Sequence, residues 1–147
     1  ATSTKRQPAS QLENIIKQGL GKYAQGTPIA TAAAHLAEAG SDLPDPYLPV
    51  IVSLLESSGG KHITRGNYNA FNLLPTRAGV NYPDYKTAIL GGGGKKGFKG
   101  TIKSGLYDKY LASGNLEDFF ATYSPPSENA PLATQVARYR ELRKYFE

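Results

Sequence analysis

Apolar residues recur at helical spacing near the start of the chain, a pattern typical of a helix with one buried face. These residues are Leu12, Ile15, Ile16, Leu20 and Tyr23. Just before them, Ser10 and Glu13 have the spacing of a capping box, in which two side chains satisfy backbone amides of the first turn. The sequence therefore predicts a first helix with Ser10 as its cap.

A second and a third helix are predicted before the middle of the chain. Thr27-Pro28 opens the second, and Gly40 closes its alanine-rich stretch. Asp45-Pro46 starts the third, which stops at Gly59-Gly60. Apolar side chains surround this third helix on every side, so we expect it to be buried. They are Leu48, Val50, Ile51, Val52, Leu54 and Leu55.

Residues 59–83 are rich in Gly, Asn, Tyr and Pro, which predicts a long structured loop. Loops of this length in a compact domain are usually functional or carry local structure of their own. No segment alternates with period two for long enough to predict a strand. The remaining chain predicts a short helix over 84–90, a flexible connector over 91–97, and helices over 101–112, 116–122 and 132–146.

Length and composition agree with a mainly α protein. The 147 residues, 39% hydrophobic and 20% charged, fit one globular domain with a single core. We therefore expect a basic lead-in over residues 1–8, without the apolar stretch of a signal peptide, and a single domain over 9–147.

The residue types that are missing exclude several kinds of site. The chain has no cysteine and only two histidines, His35 and His62. Disulfides, thiolate metal sites, cysteine nucleophiles and multi-histidine sites are therefore excluded, and no metal or cofactor is expected. No apolar run approaches the roughly 20 residues that would span a bilayer, so no membrane span is expected.

Seventeen Lys and Arg against twelve Asp and Glu give a net charge of +5, which favours polyanionic partners. One basic cluster consists of Lys95, Lys96, Lys99 and Lys103. Phe98 and Tyr107 lie among these lysines, as in many nucleic-acid surfaces. No recognised nucleic-acid motif accompanies the cluster, and anionic cell-wall polymers would attract the same charges.

Glu56 is the principal candidate for chemistry. It follows the most hydrophobic segment of the protein and precedes a polar loop. We expect its side chain to have one side against the core, which would raise its pKa toward the range of a general acid. The partial negative charge of the helix C-terminus acts in the same direction. The alternative is a solvated glutamate on the last turn.

Three short motifs follow one another along residues 46–129. The first is Glu56-Ser57, the second is Asn69-Ala70-Phe71-Asn72-Leu73-Leu74-Pro75, and the third is Phe119-Phe120-Ala121-Thr122-Tyr123-Ser124-Pro125-Pro126. Together they resemble the soluble lytic transglycosylase and goose-type lysozyme group of peptidoglycan-cleaving enzymes. That group has a buried helix ending in Glu-Ser, a Gly-Leu-Met-Gln-Leu-Met-Pro-like loop, and a helix with an Ala-Tyr-Asn-like signature.

The resemblance implies a role for each matching residue. Glu56 would be the general acid and base, with Ser57 as a polar neighbour beside it. Asn72, which stands where the group has Gln, would hold the acetamido or hydroxyl groups of the sugar. Tyr123 would reach the catalytic carboxyl or the sugar at the cleavage subsite.

Asn69 and Phe71 belong to the same implied substrate-binding loop. In the alternative interpretation, Phe71 and Leu74 are core residues and Tyr123 caps a helix end. For a second carboxylate, Asp84 and Glu128 are candidates, although nothing in their spacing puts them opposite Glu56. Lytic transglycosylases need none, whereas an inverting hydrolase needs one about 6.5–9.5 Å away.

The resemblance further implies a mainly α, lysozyme-like fold with two lobes and a substrate groove. The implied activity is cleavage of the β-1,4 bond between N-acetylmuramic acid and N-acetylglucosamine, as a lytic transglycosylase or a muramidase. Such an enzyme acts on peptidoglycan strands outside the cytoplasm, in the periplasm or cell wall, or is delivered by a phage as an endolysin. The alternatives are a non-catalytic glycan-binding module of the same fold and a basic nucleic-acid-binding domain.

Overall fold

The structure is a computed structural model that describes residues 9–62, 67–71, 73, 81–127 and 129–147. These residues form eight α-helices and no strand, which confirms the predicted mainly α class. In chain order the helices are α1 (Ala9–Tyr23), α2 (Ala33–Gly40), α3 (Leu48–Ser57), α4 (Tyr85–Leu90), α5 (Gly97–Ile102), α6 (Asp108–Ser113), α7 (Leu116–Tyr123) and α8 (Leu132–Arg143). Short 3-10 helices also cover Pro28–Ala32 and Lys144–Phe146.

Helix α3 is the most deeply buried element. Every residue from Leu48 to Leu54 is buried, and α2 and α8 pack against it. The prediction of a buried third helix is therefore confirmed. Because α3 is enclosed along its length, its C-terminal turn is held at one position relative to the core.

Asp45 ties α8 to the start of α3. The hydroxyl of Tyr139 donates a hydrogen bond to Asp45 Oδ2 at 2.6 Å, and Arg143 Nε donates to the same oxygen at 3.0 Å. The Arg143 guanidinium also lies over the ring of Tyr47, 4.5 Å from its centroid. One half-buried carboxylate thus joins the last helix to the turn before α3.

Three predicted helix starts differ from the structure. Helix α1 already includes Ala9, so Ser10 lies within the first turn and is not its cap. The segment that Thr27-Pro28 opens begins as a 3-10 helix and becomes α-helical at Ala33. Asp45-Pro46 lies before α3 and forms a turn. The side chain of Asp45 accepts a hydrogen bond from the backbone amide of Tyr47, and its backbone carbonyl accepts one from the amide of Leu48.

The predicted single helix over 101–112 is wrong, because α5 and α6 are separate helices. The chain between them passes through Gly105 at a φ of +103°, a backbone conformation that ends a right-handed helix. The hydroxyl of Ser104 donates to the carbonyl oxygen of Thr101 at 2.6 Å and so satisfies one acceptor at the end of α5. Local turn chemistry therefore overrides the helical pattern here.

The segment predicted as a flexible connector contains a tight turn. The backbones of Gly92 and Lys95 exchange two hydrogen bonds, at 2.9 and 3.0 Å. Gly97 already belongs to α5 and adopts a φ of +65°. A Cβ added there would lie 2.4 Å from the backbone nitrogen of Gly91, so the close approach of the two segments requires glycine.

The other helix predictions are confirmed with small changes at the ends. Asp84 caps α4 by accepting a hydrogen bond from Thr87 N at 2.8 Å, as a helix starting near residue 84 requires. The last helix ends in a 3-10 turn over Lys144–Phe146. Across the described part of the chain, no helix combines the length and the apolar character needed to cross a bilayer.

Candidate active site

Glu56 and Ser57 form the last turn of α3. The helix ends there because Ser58 adopts a left-handed conformation with a φ of 53°, and its backbone amide closes the turn on Leu54 O. Glu56 is exposed, which is the position that the alternative of a solvated glutamate predicts. Its role as an acid remains a prediction.

Ser57, in contrast, is only 5% exposed and faces the long loop. Its hydroxyl donates a hydrogen bond to the carbonyl oxygen of Ala70 at 2.7 Å and accepts one from the backbone amide of Gly60 at 3.0 Å. The hydroxyl also lies 3.1 Å from the carbonyl oxygen of Ser53, one turn earlier in α3. Ser57 therefore fixes the loop segment 67–71 to the end of the helix that carries Glu56.

Asn69 holds the loop in shape from within. Its Oδ1 accepts a hydrogen bond from Leu73 N at 3.0 Å, and its Nδ2 donates to Leu73 O at 3.3 Å. The side chain is 6% exposed. The oxygen and the nitrogen of the side-chain amide are both hydrogen-bonded to Leu73. Asn69 therefore stabilises the predicted substrate loop and has little exposed surface with which to contact a substrate.

Phe71 belongs to the core, as the alternative interpretation of the sequence has it. Its ring has no exposed surface and lies 4.7 Å from the ring of Phe98, measured between centroids. The ring therefore cannot contact a substrate in this conformation. The remaining loop candidates Asn72, Leu74 and Pro75 lie outside the described residues.

Tyr123 completes the arrangement from the last turn of α7. Its hydroxyl donates a hydrogen bond to the carbonyl oxygen of Phe71, and its ring stacks on Phe119 with centroids 4.9 Å apart. Burial raises the pKa of Tyr123 well above its ordinary value, and the negative charge of Glu56 raises the pKa further. The phenol is therefore neutral at physiological pH and close enough to Glu56 to sense its charge.

Beside Glu56 lies a cavity of about 170 Å³, between the ends of α3 and α7 and the exposed side of α8. Gln135 holds one wall, because its Nε2 donates to Ser124 O and to Ala130 O, both at 2.8 Å. The residues that line the cavity are Leu55, Glu56, Phe120, Ser124, Asn129, Ala130, Gln135 and Arg138. We call this space the Glu56 cavity.

The sequence analysis did not single out Gln135 or Arg138. They are three residues apart on α8, a spacing that puts two side chains on the same face of a helix. This spacing predicts that the two side chains lie together, but nothing in the sequence indicates that they lie near Glu56.

An aromatic pair with one exposed ring was also not predicted. Tyr68, 37% exposed, meets the ring of Tyr85 edge to face, with centroids 4.9 Å apart. A Cβ added at Gly60 would lie 2.4 Å from the Tyr85 hydroxyl, so only glycine lets Tyr85 approach the end of α3. Tyr68 belongs to the loop that Ser57 holds, and Tyr85 is the first residue of α4.

Of the two candidates for a second carboxylate, Asp84 does not line the Glu56 cavity. Asp84 caps α4 and accepts hydrogen bonds from both the amide and the hydroxyl of Thr87, which lower the pKa of its carboxyl. Glu128 lies outside the described residues.

The basic cluster does not present the aromatic rings that suggested nucleic acid. Phe98 is fully buried and Tyr107 is 5% exposed, so neither ring is available for stacking on bases in this conformation. Lys103 forms an ion pair with Asp42 at 2.5 Å, and the Lys95 ammonium lies 5.9 Å from the centroid of the Tyr82 ring.

Comparison with protein-family models, with curated proteins and with solved structures finds no match for this chain. Among the described residues, no group of three or more His, Cys, Asp or Glu side chains is arranged to hold a metal ion.

Proposed function

We propose that this chain is a peptidoglycan-cleaving enzyme related to soluble lytic transglycosylases and goose-type lysozymes. In this proposal Glu56 is the catalytic acid and base, and the fold is lysozyme-like, with two lobes and a groove that passes Glu56. The substrate is the β-1,4-linked glycan strand of peptidoglycan, and the bond cleaved follows N-acetylmuramic acid.

The observation that carries the proposal is the meeting of three sequence segments that are far apart in the chain. Ser57 is hydrogen-bonded to Ala70, and Tyr123 is hydrogen-bonded to Phe71. These two bonds join the end of α3, the loop and the end of α7 around Glu56. In the resembled enzymes the corresponding motifs belong to one catalytic site, so their convergence here supports the same use.

The position of Glu56 suits a polymeric substrate. Glu56 is exposed and lies in the last turn of α3, whose earlier residues are buried. A long glycan strand can therefore reach the carboxyl without entering the core. The buried length of α3 holds the backbone of Glu56 in place, as a catalytic carboxyl requires.

The proposed reaction needs one carboxyl group. Protonated Glu56 donates its proton to the glycosidic oxygen, and the bond between that oxygen and the anomeric carbon breaks. The carboxylate then removes the proton of the muramyl 6-hydroxyl as that oxygen attacks the same anomeric carbon. The products are a 1,6-anhydro sugar and a chain with a new 4-hydroxyl end, and Glu56 is again protonated.

The neighbouring residues act as positioning groups in this scheme. Tyr123 and Ser57 hold the loop against the helix end, and Asn69 keeps the loop closed on Leu73. Tyr68 offers an exposed ring on the same loop, and such rings stack on the apolar faces of sugars. The role of Asn72 in holding the substrate remains a prediction.

The proposed substrate also determines where the protein works. Peptidoglycan lies outside the cytoplasm, in the periplasm or the cell wall, and a phage can deliver an enzyme there. The net charge of +5 suits a surface that approaches anionic wall polymers.

Release of soluble fragments from purified peptidoglycan tests the proposal. We expect the unmodified protein to release them and Glu56→Gln to be slower by about 10²- to 10⁴-fold, the usual contribution of a general acid. Glu117→Gln, an exposed glutamate in the first turn of α7, is the matched control and keeps full activity.

An equal rate for Glu56→Gln and the unmodified protein would show that Glu56 is not the acid. If neither protein releases fragments but both bind the wall, the chain is a glycan-binding module.

A further inference from the structure

The Glu56 cavity contains a positive charge that the proposed cleavage step does not use. Arg138 lines it together with Glu56, and within the described part of the chain Arg138 takes part in no ion pair. Arg143, one turn further along α8, is already bound to Asp45. Among the described residues, Arg138 is therefore the guanidinium that lines the cavity beside Glu56.

The rest of the lining limits what the ligand can be. Leu55 and Phe120 provide apolar surface, whereas Ser124 and Asn129 provide polar groups. The cavity has a volume of about 170 Å³ and is partly open to solvent, so it can take up a substituent of a longer strand. A group with a short apolar body and an acidic end matches this mixture of surfaces.

We propose that the Glu56 cavity is a subsite for a carboxylate-bearing substituent of the sugar next to the cleaved bond, and that Arg138 binds its carboxylate. Guanidinium groups bind carboxylates through paired, charge-assisted hydrogen bonds, which make this contact both strong and selective. The inference rests on the proposed function, because it concerns the substrate of the same site.

Two parts of peptidoglycan carry such a carboxylate. One is the lactyl group of muramic acid, which is free when the stem peptide has been removed. The other is the stem peptide, which carries carboxylates of its own amino acids. Either source predicts that strands with acidic substituents are better substrates than uncharged polymers of N-acetylglucosamine.

The test compares the unmodified protein with Arg138→Gln on three substrates: peptide-bearing strands, strands freed of peptide by an amidase, and N-acetylglucosamine oligomers. Arg140→Gln is the matched control, because Arg140 is also exposed on α8 but does not line the cavity. We expect Arg138→Gln to lower kcat/KM by about 10- to 100-fold on acid-bearing strands, the usual effect of losing a hydrogen bond to a charged group.

The pattern over the three substrates decides the inference. The oligomers without carboxylates should be cleaved equally by both proteins, and Arg138→Lys should recover part of the loss. A loss confined to peptide-bearing strands identifies a carboxylate of the stem peptide, and a loss confined to strands freed of peptide identifies the lactyl carboxylate. A loss on both kinds of strand shows that the subsite accepts either carboxylate. Equal rates on all substrates, or an equal loss on the uncharged oligomers, would overturn the inference.

A binding measurement separates this inference from the proposed function. In the Glu56→Gln background, the affinity for N-acetylmuramic acid with a free lactyl carboxylate and for a muramyl peptide is measured with and without Arg138→Gln. If the unmodified protein cleaves nothing, the proposed function fails, and the binding result alone decides the subsite. Weaker binding of either ligand with Arg138→Gln supports the subsite, and unchanged binding of both refutes it.

Discussion

The hydroxyl of Tyr123 donates a hydrogen bond to the carbonyl oxygen of Phe71, 52 residues earlier in the chain. This bond joins the end of α7 to the loop that follows α3. Since Ser57 binds the neighbouring carbonyl of Ala70 at 2.7 Å, two consecutive carbonyl groups of the loop are held from two different helices. The loop beside Glu56 therefore has a position that depends on both contacts.

Removing the Tyr123 hydroxyl should loosen this loop. Tyr123→Phe leaves the ring stacked on Phe119 but takes the donor from Phe71 O, and we expect a loss of about 1–3 kcal/mol in the free energy of unfolding. Activity on peptidoglycan should fall about 10-fold as the loop loses its position. Urea denaturation and fragment release measure the two effects.

Tyr23→Phe is the matched control, because Tyr23 packs edge to face on Tyr145, away from the loop. This substitution should change the free energy of unfolding by less than about 0.5 kcal/mol and leave the activity unchanged. If Tyr123→Phe behaves like this control, the bond to Phe71 does not position the loop.

Ser57→Ala should destabilise the protein although it removes a single oxygen atom. The carbonyl of Ala70 would lose its partner in a buried place, and the amide of Gly60 would keep only its bond to the carbonyl of Ser57, at a cost of about 1–3 kcal/mol. Ser104→Ala, which removes an exposed hydroxyl bonded to Thr101 O, should cost less than about 0.5 kcal/mol. Equal midpoints of urea denaturation for the two variants would contradict this account of Ser57.

Asp45→Ala should separate α8 from the start of α3. The variant leaves Tyr139 and Arg143 without their common acceptor, and we expect a loss of about 2–3 kcal/mol in the free energy of unfolding. In Glu141→Ala, only an exposed ion pair with Lys144 is lost, which should cost less than about 0.5 kcal/mol. Thermal and urea unfolding of both variants test the difference.

Stability should fall at alkaline pH because several phenols are buried. Burial raises the pKa of Tyr107 to about 12, and it also raises the pKa values of Tyr110, Tyr123 and Tyr139. The unfolded chain releases these protons near pH 10, before the folded protein does, so the stabilising contribution is complete below about pH 10 and decreases above it.

Urea denaturation between about pH 8 and 11.5 measures this decrease. Tyr107→Phe cannot ionise at this position, so its stability should fall less steeply with pH than that of the unmodified protein. The same slope for both proteins would contradict the assignment to Tyr107.

Much of the fold could be predicted from local patterns. The third helix was predicted to be buried because apolar side chains surround it, and Leu48 to Leu54 are indeed enclosed. The interruption between α5 and α6 was missed, because the spacing of apolar residues continues through it. Whether Gly105 adopts a positive φ or continues a helix depends on packing that the local pattern does not contain.

The candidate site could be predicted only in part for a related reason. Glu56 was predicted from its position after the most hydrophobic segment and Tyr123 from its motif, since both signals are short and continuous in the sequence. Asn69 and Phe71 belong to one of these motifs, yet their side chains are turned inward. Arg138 was not predicted, because the local sequence does not show which side of α8 is exposed. That side is determined by the burial of Val136 and Tyr139 against the rest of the protein.

Mass spectrometry of the fragments from purified peptidoglycan tests the central claim most directly. The unmodified protein is predicted to yield muropeptides that end in 1,6-anhydro-muramic acid, one water lighter than products of hydrolysis, and Glu56→Gln is predicted to yield none. Products with a reducing muramic acid would contradict the transglycosylase reaction and require a second group to activate water. The absence of fragments from the unmodified protein would contradict enzymatic cleavage itself.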